Sequence, residues 1–348
     1  MREENVFKPK YNITPKLLAN IKRIGIIVSD LNNHHFDKFS LVKLEESARE
    51  LSAHSSTSIE GNPLPLTEVK RIIKNKPEYI RDSEREVLNY NKALEILADD
   101  FQSMQIKFSL DSILKIQKVV TDGLINRSNS GKIRKEPVFV NDPRLRKPIY
   151  LPPDHQDVPG LMKDLINFTC SNKIKLDPLI IAGVFHKQFV IIHPFIDGNG
   201  RTSRLATKVL LANMGLNTFN LFSFENYYNQ NVTKYFENVG ERGNYYELID
   251  QIDFTNWLEY FTDGIVDELL RVKKLLEAEA TSPKTTLKSY HQKVLDFIKE
   301  NGFITDRDYA KLTDRAKPTR NKDLNKLIDL GLIERIGKGK ATYYKFKG

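Results

Sequence analysis

Only one cysteine, Cys170, occurs in the 348 residues. One thiol excludes an internal disulfide and offers no cysteine set for zinc, which suits a reducing cytoplasm. No apolar run approaches the length of a membrane-spanning helix. The first residues are polar and charged, with no apolar signal core. Repeats and low-complexity tracts are lacking. These absences lead to the expectation of a cytoplasmic chain without a membrane part, long enough for two or three domains with sizeable cores. The basic character is local: sixteen basic and eight acidic residues from Thr281 onward account for +8 of the formal +9.

Helical periodicity dominates what is present. Leu41, Leu44 and Ala48 share a face. Val87, Tyr90, Ala93 and Leu94 mark another helix, as do Ile113, Ile116, Val119 and Val120. Leu161, Leu165 and Phe168 form a further stripe. Trp257, Tyr260 and Phe261 open a helix through Ile265, Leu269 and Leu270, and aromatics so spaced, Trp257 included, read as core.

The chemistry concentrates in one run, His193-Pro-Phe-Ile-Asp197-Gly-Asn-Gly-Arg201-Thr-Ser-Arg204, with apolar residues before and after it. The pattern predicts helix, tight polar loop, and a helix restarting near Arg201. The free N–H groups at such a helix start form an anion site. Gly198 and Gly200 let the backbone approach a phosphate without a Cβ clash. Asp197 is a hard oxygen ligand suited to Mg²⁺. Arg201 and Arg204 can neutralise phosphate oxygens, and His193 can accept a proton from an attacking hydroxyl. Glycines with Asp and Asn ordinarily mark only a turn. Here every polar position fits one site, and the parts predict nucleotide-dependent transfer onto a hydroxyl.

The run resembles the signature of the Fic (Fido-superfamily) proteins, His-x-Phe-x-(Asp/Glu)-Gly-Asn-Gly-Arg-x-x-Arg, without departure, and the likeness extends from about residue 35 to 265. Fic proteins mostly move AMP from ATP to a Ser, Thr or Tyr hydroxyl of a target protein. The resemblance implies that His193 is the general base, that Phe195 is a buried anchor and that Asp197 holds Mg²⁺. It further implies that Gly198, Asn199 and Gly200 form the anion nest, that Arg201 binds phosphate and that Arg204 reaches the γ-phosphate. The related Doc kinases carry Lys where this chain has Gly200, which favours adenylyl transfer here. Aromatic residues after the motif helix line the adenine pocket in Fic proteins. Tyr235 is the best match, with Asn231 one turn before it.

Upstream, Ser56-Thr-Ser-Ile-Glu60-Gly61-Asn62 resembles the inhibitory (Ser/Thr)-x-x-x-Glu-(Gly/Asn) helix of Fic proteins, expected over about 48–61. Ser56 and Glu60 are its candidate residues, with Glu60 pairing with Arg204 and taking the donors that the γ-phosphate needs. Gly61-Asn-Pro is a natural helix stop. Between 131 and 153, Val138, Phe139 and Val140, then Ile149-Tyr-Leu151, flank a Pro-containing turn and read as a hairpin. It resembles the Fic flap, whose exposed edge pairs with the target's main chain.

A polar linker, Thr281–Thr286, precedes helices near 287–300, 306–312 and 319–330 and a hairpin around Gly337-Lys-Gly-Lys340. This ensemble resembles a winged helix-turn-helix. Arg320, Lys322, Lys338 and Lys340 are its candidate DNA contacts, the competing use being recruitment of protein targets.

The expected architecture is mainly α: a Fic helical bundle with a β-hairpin flap and a C-terminal winged helix. The expected divisions are an N-terminal helical region (1–105), a catalytic core (106–265), a helix and linker (266–286) and the winged domain (287–348). The expected function is an autoinhibited, ATP- and Mg²⁺-dependent protein adenylyltransferase, capable of self-modification and dimeric by family habit. Two alternatives stand beside it: a Fic deAMPylase using Glu60, and a nucleotide-sensing DNA-binding regulator.

Overall fold

The computed structural model describes residues 7–33, 38–75, 77–102, 108–142, 147–213, 221–280, 287–337 and 339–347. The chain divides into two compact units, one of Met1–His35 with Glu45–Lys274 and one of Phe36–Leu44 with Leu275–Gly348. The division differs from the expected one: residues 1–105 and 106–265 are not separated, and Phe36–Leu44 falls in the second unit. Among the described residues no helix is long and apolar enough to cross a membrane.

The chain opens with helices α1 (Pro15–Asn33), α2 (Lys38–Ile59), α3 (Leu66–Asn75), α4 (Asp82–Gln102) and α5 (Leu110–Val120). A hairpin follows, β1 (Val140–Asp142) and β2 (Lys147–Leu151). Then come α6 (Val158–Ser171), α7 (Pro178–Ile192), α8 (Asn199–Asn213), α9 (Phe224–Gln230) and α10 (Val232–Val239). The run ends with β3 (Gly243–Asn244), α11 (Tyr245–Leu248) and α12 (Thr255–Ala280). Helix α7 is apolar on nearly every face and almost wholly buried, as a helix without a polar side must be. It is the post against which α6 and α8 pack. Asp177 caps it, its side chain accepting from Leu179 N, and Pro178 occupies the first helical position. Trp257 is fully buried, and its indole N–H donates to Gly183 O at 2.7 Å.

Two expectations shift in detail. Helix α2 begins at Lys38, ten residues ahead of the expected start at 48, and ends at Ile59, so Glu60 lies in the turn beyond it. Gly61, at φ 95°, completes that turn. The flap strand begins only at Val140, leaving Val138 and Phe139 outside it. Pro137 has no N–H for a ladder there, and the register shifts between Val140 and Asn141. Strand β3 pairs in parallel with β2, giving the order β1-β2-β3 with β1 at the edge.

Helix α2 is fastened to the bundle by a buried charge cluster. Lys208 Nζ on α8 lies 3.0 Å from Glu225 Oε1 on α9 and donates to Ser52 Oγ on α2 at 2.9 Å. Tyr90 on α4 donates to Glu225 at 2.8 Å, and Ser223 adds a bond at 3.2 Å. Removing one member strands the other charge. Glu225→Ala is therefore expected to cost about 3–5 kcal/mol, read as a lower urea midpoint.

In the second unit, α13 (Ser289–Asn301), α14 (Asp306–Leu312) and α15 (Lys317–Asp329) precede an antiparallel pair, β4 (Ile333–Ile336) and β5 (Tyr343–Phe346). Val294, Ile298, Ile304, Tyr309, Leu324 and Leu327 build its core. The expected linker 281–286 and Lys338 lie outside the described residues, as does the side chain of Lys340.

Candidate functional site

Helix α7 ends where its apolar run ends. His193 caps it in the left-handed region at φ 50°, the only non-glycine with positive φ among the described residues, and its N–H donates to Phe189 O at 3.0 Å. Such a backbone costs about 1–2 kcal/mol and must be held. Arg134 holds it: Nε donates to His193 O at 2.8 Å, and the Arg134 N–H donates to Pro194 O at 2.9 Å. The same guanidinium donates to Glu136 O at 3.1 Å and to Pro153 O at 2.5 Å, tying the flap's two ends to the loop. Tyr150 on β2 adds a bond to Ile191 O at 3.0 Å.

The loop is shaped by side chains that face inward. Phe195 is fully buried. The Asn199 amide grips its backbone from both sides, accepting from Phe195 N and donating to Phe195 O, each at 2.9 Å. The Asn199 side chain is thus committed to the loop backbone. Gln117, buried on α5, donates to Asp197 O at 3.1 Å and accepts from Gly131 N. Gly198 adopts φ 80°, and a Cβ there would lie 2.8 Å from Thr121 Cγ2, so glycine is required on both counts. Helix α8 restarts at Asn199, two residues ahead of the expected Arg201, and its first N–H groups have no intrahelical acceptor.

Both arginines on α8 are buried, and both face carboxylates. Arg204 is fully buried. Its Nη2 donates to Glu60 Oε1 at 2.7 Å and to Ser56 O at 2.9 Å, and its Nε donates to Ser56 Oγ at 2.8 Å. Burial opposes its charge, but Glu60, Tyr235 and Tyr90 together outweigh that and the guanidinium pKa is raised. A Cβ on Gly200 would collide with the Glu60 carboxylate. The missing side chain therefore makes the seat for Glu60. Arg201 Nη2 donates to Asp197 Oδ2 at 2.9 Å, and its Nη1 lies 2.7 Å from Glu86 Oε1.

His193 Nδ1 sits 3.3 Å from Val190 O. That contact places the proton on Nδ1 and leaves the Nε2 lone pair free. Burial lowers the imidazole pKa to about 4, assisted by Arg134 and opposed by the Val190 contact and by the charges of Glu60 and Asp197. The ring is therefore neutral near pH 7.

The other expected residues lie as follows. Tyr235 is buried, stacked on Tyr228 at 4.7 Å between centroids, with its hydroxyl 3.4 Å from Arg204 Nη1 and 3.1 Å from His186 Nε2. It supports Arg204 from below. Asn231 is exposed and caps α10, accepting from Lys234 N at 3.0 Å. Phe139 is 59% exposed beside the edge strand. In the second unit Arg320 is held by both Asp306 oxygens, at 2.9 and 3.0 Å, and donates to Arg315 O. Lys322 is exposed on α15. Glu86, Asn62 and Gln117 were not among the expected site residues. Glu86 and Gln117 are single polar residues without a local pattern, and Asn62 reads only as part of the helix stop after Glu60.

Among the described residues no cluster of three His, Cys, Asp or Glu could hold a metal by itself. Asp197 nonetheless fits Mg²⁺: its carboxylate is 46% exposed, and this ion commonly takes one or two protein carboxylates and completes its shell with phosphate and water.

Residues 107–211 match the model of the Fic/DOC family. A protein adenylyltransferase Fic from Aedes aegypti is 26% identical over 237 residues, covering 62% of this chain and 46% of the relative. Another from Nematostella vectensis is 30% identical over 166 residues, covering 47% and 37%. The chain thus spans less than half the length of these curated relatives. A Fic family protein from Desulfovibrio desulfuricans G20 shares the fold across 98% of this chain and 99% of its own, with a TM-score of 0.64 at 21% identity. Fic-1 (residues 134–508) from Caenorhabditis elegans does so over 76% and 73%, with a TM-score of 0.59 at 20% identity. The loop between α7 and α8, its two glycines and its paired arginines lie within residues 107–211, the stretch that matches the Fic/DOC family model.

Proposed function

We propose that the chain is an autoinhibited protein adenylyltransferase that moves AMP from ATP to a hydroxyl of a target protein. The observation that carries this reading is the loop geometry: His193, its Nδ1 against Val190 O, caps α7 six residues before α8 begins with N–H groups that lack an intrahelical acceptor, and Glu60 is seated on the Arg204 of that helix. The α8 N–H groups and Arg201 receive the phosphates, and Asp197 is the residue that would hold Mg²⁺. When bound, the ion neutralises phosphate charge. The acceptor oxygen attacks the α-phosphorus as His193 Nε2 takes its proton. The bond to the β-phosphate oxygen breaks and pyrophosphate leaves. Positioning and charge neutralisation do most of the work. The exposed edge of β1 suits main-chain pairing with a target segment.

Glu60 is the brake. It takes a donor of Arg204 that the γ-phosphate needs, while Ser56 fixes the guanidinium. In the second unit three helices and a hairpin support a winged-helix reading. With Arg320 engaged by Asp306, the exposed cations of α15 are Lys317, Lys322 and Lys326.

The reaction class is tested with the Glu60→Gly chain and ATP labelled at either the α- or the γ-phosphorus. Protein should retain α-label only. Retention of γ-label would make the chain a kinase and end this reading.

The depressed His193 pKa sets a pH profile. A base with a pKa of about 4 stays unprotonated as pH falls. Removing Glu60 withdraws a charge that favours the imidazolium and lowers that value further. Transfer by Glu60→Gly should therefore stay level from about pH 8 to 5.5, where an ordinary histidine near 6.5 would be mostly protonated. A pH–rate profile falling through about 6.5 would contradict the burial argument.

A further inference from the structure

We infer that Glu86 positions Arg201 for the nucleotide and that Asn62, from the inhibitory turn, secures Glu86. The inference rests on the proposed binding of ATP at the α7–α8 loop. Arg201 is 2% exposed and needs a countercharge. Asp197 and Glu86 supply it at 2.9 and 2.7 Å. Asp197 is also the residue suited to Mg²⁺, and once so engaged it leaves Arg201 to Glu86.

The Glu86 contact is close but poorly aligned for a hydrogen bond. Arg201 Nε and Nη1 are buried and have no hydrogen-bond acceptor among the described residues. Glu86 thus holds the guanidinium by charge while leaving two N–H donors for an oxygen ligand such as a phosphate.

Glu86 is itself held. Asn62 Nδ2 donates to Glu86 Oε2 and to Ser83 O, both at 2.8 Å. Asn62 Oδ1 accepts from Leu64 N at 3.1 Å, and its own N–H donates to Thr57 O at 3.1 Å. The side chain is 8% exposed and spans α2's end and α4. Two residues of one turn therefore serve opposite ends: Glu60 occupies Arg204, while Asn62 supports Arg201 through Glu86. Releasing the brake at Glu60 alone differs from loosening the whole turn.

The test is calorimetric binding of MgATP to Glu60→Gly and to the same chain carrying Glu86→Gln, Glu86→Asp, Asn62→Ala, or Glu86→Gln with Asn62→Ala. A carboxylate that merely sits near a triphosphate would repel it, so its neutralisation would tighten binding. A positioning carboxylate does the reverse. Glu86→Gln should weaken MgATP about fivefold or more, and Asn62→Ala about two- to threefold, with no further loss when combined. Glu86→Asp, which keeps the charge, should recover part of the affinity. Unchanged or tighter binding by Glu86→Gln, or losses that multiply in the double variant, would overturn the inference. Should Glu86→Gln fail to fold, full affinity in Asn62→Ala would overturn it.

Binding as expected without protein labelling would sink the transfer reading and leave this one standing. Labelling accompanied by tighter binding in Glu86→Gln would sink this one alone. No MgATP binding by Glu60→Gly would remove both.

Discussion

Glu60→Gly is expected to raise α-label incorporation into protein about 10–100-fold over the unaltered chain, corresponding to a charge-assisted contact of about 1.5–3 kcal/mol. The Arg204 guanidinium is fully buried and its contact with Glu60 is 2.7 Å, so a γ-phosphate must displace a well-seated partner. Gly200 lacks the Cβ that would unseat it. The variant should also be less stable, because Arg204 keeps Ser56 but loses its countercharge. MgATP should restore part of that stability by binding the folded state. Autoradiography with thermal unfolding in the same buffer checks both. Equal labelling by the two chains would remove the brake from Glu60.

His193→Ala, placed on Glu60→Gly, should cut transfer about 10²–10⁴-fold, the range for loss of a positioned general base. MgATP affinity should change little, because the proposed role of His193 is toward the acceptor hydroxyl rather than the phosphates. The split between turnover and binding separates a lost base from a collapsed loop. Collapse is resisted because Arg134 holds the backbone carbonyl of residue 193, and the Asn199 clamp on Phe195 is independent of the imidazole. Single-turnover transfer and calorimetry on the same preparation give the comparison. Unimpaired transfer would assign the base elsewhere.

The parts legible in the sequence are those whose chemistry is local. The helices around Val87–Leu94, Ile113–Val120 and Leu161–Phe168 follow from apolar spacing and lie in α4, α5 and α6. The loop from His193 to Arg204 is dense enough in glycine, amide and charge to announce an anion site. The Glu60–Arg204 contact spans 144 residues, and it was legible only because the short upstream motif resembles a known one. Other features had no such signal. Glu86 reads as an ordinary acidic residue on a helix face until folding brings Arg201 to it. Asn62 reads as a turn former, and the turn hides its reach to α4. Asn199 reads as one member of an anion nest, and the clamp of its side chain on Phe195 had no signal in the sequence. Val138 and Phe139 carry strand-forming side chains, but Pro137 and the irregular register delay the strand to Val140. Arg320 reads as free charge, and Asp306, fourteen positions away, claims it.

Comparing ATP with ADP tests most directly whether Glu60 contests the site of the terminal phosphate. Calorimetric affinities of both nucleotides, with Mg²⁺, are needed for the unaltered chain and for Glu60→Gly. If the Glu60 carboxylate occupies that place, the unaltered chain should bind the two alike. Glu60→Gly should then favour ATP about tenfold or more, the worth of one charge-assisted bond regained. An equal gain for ADP, or no gain for either, would contradict the account.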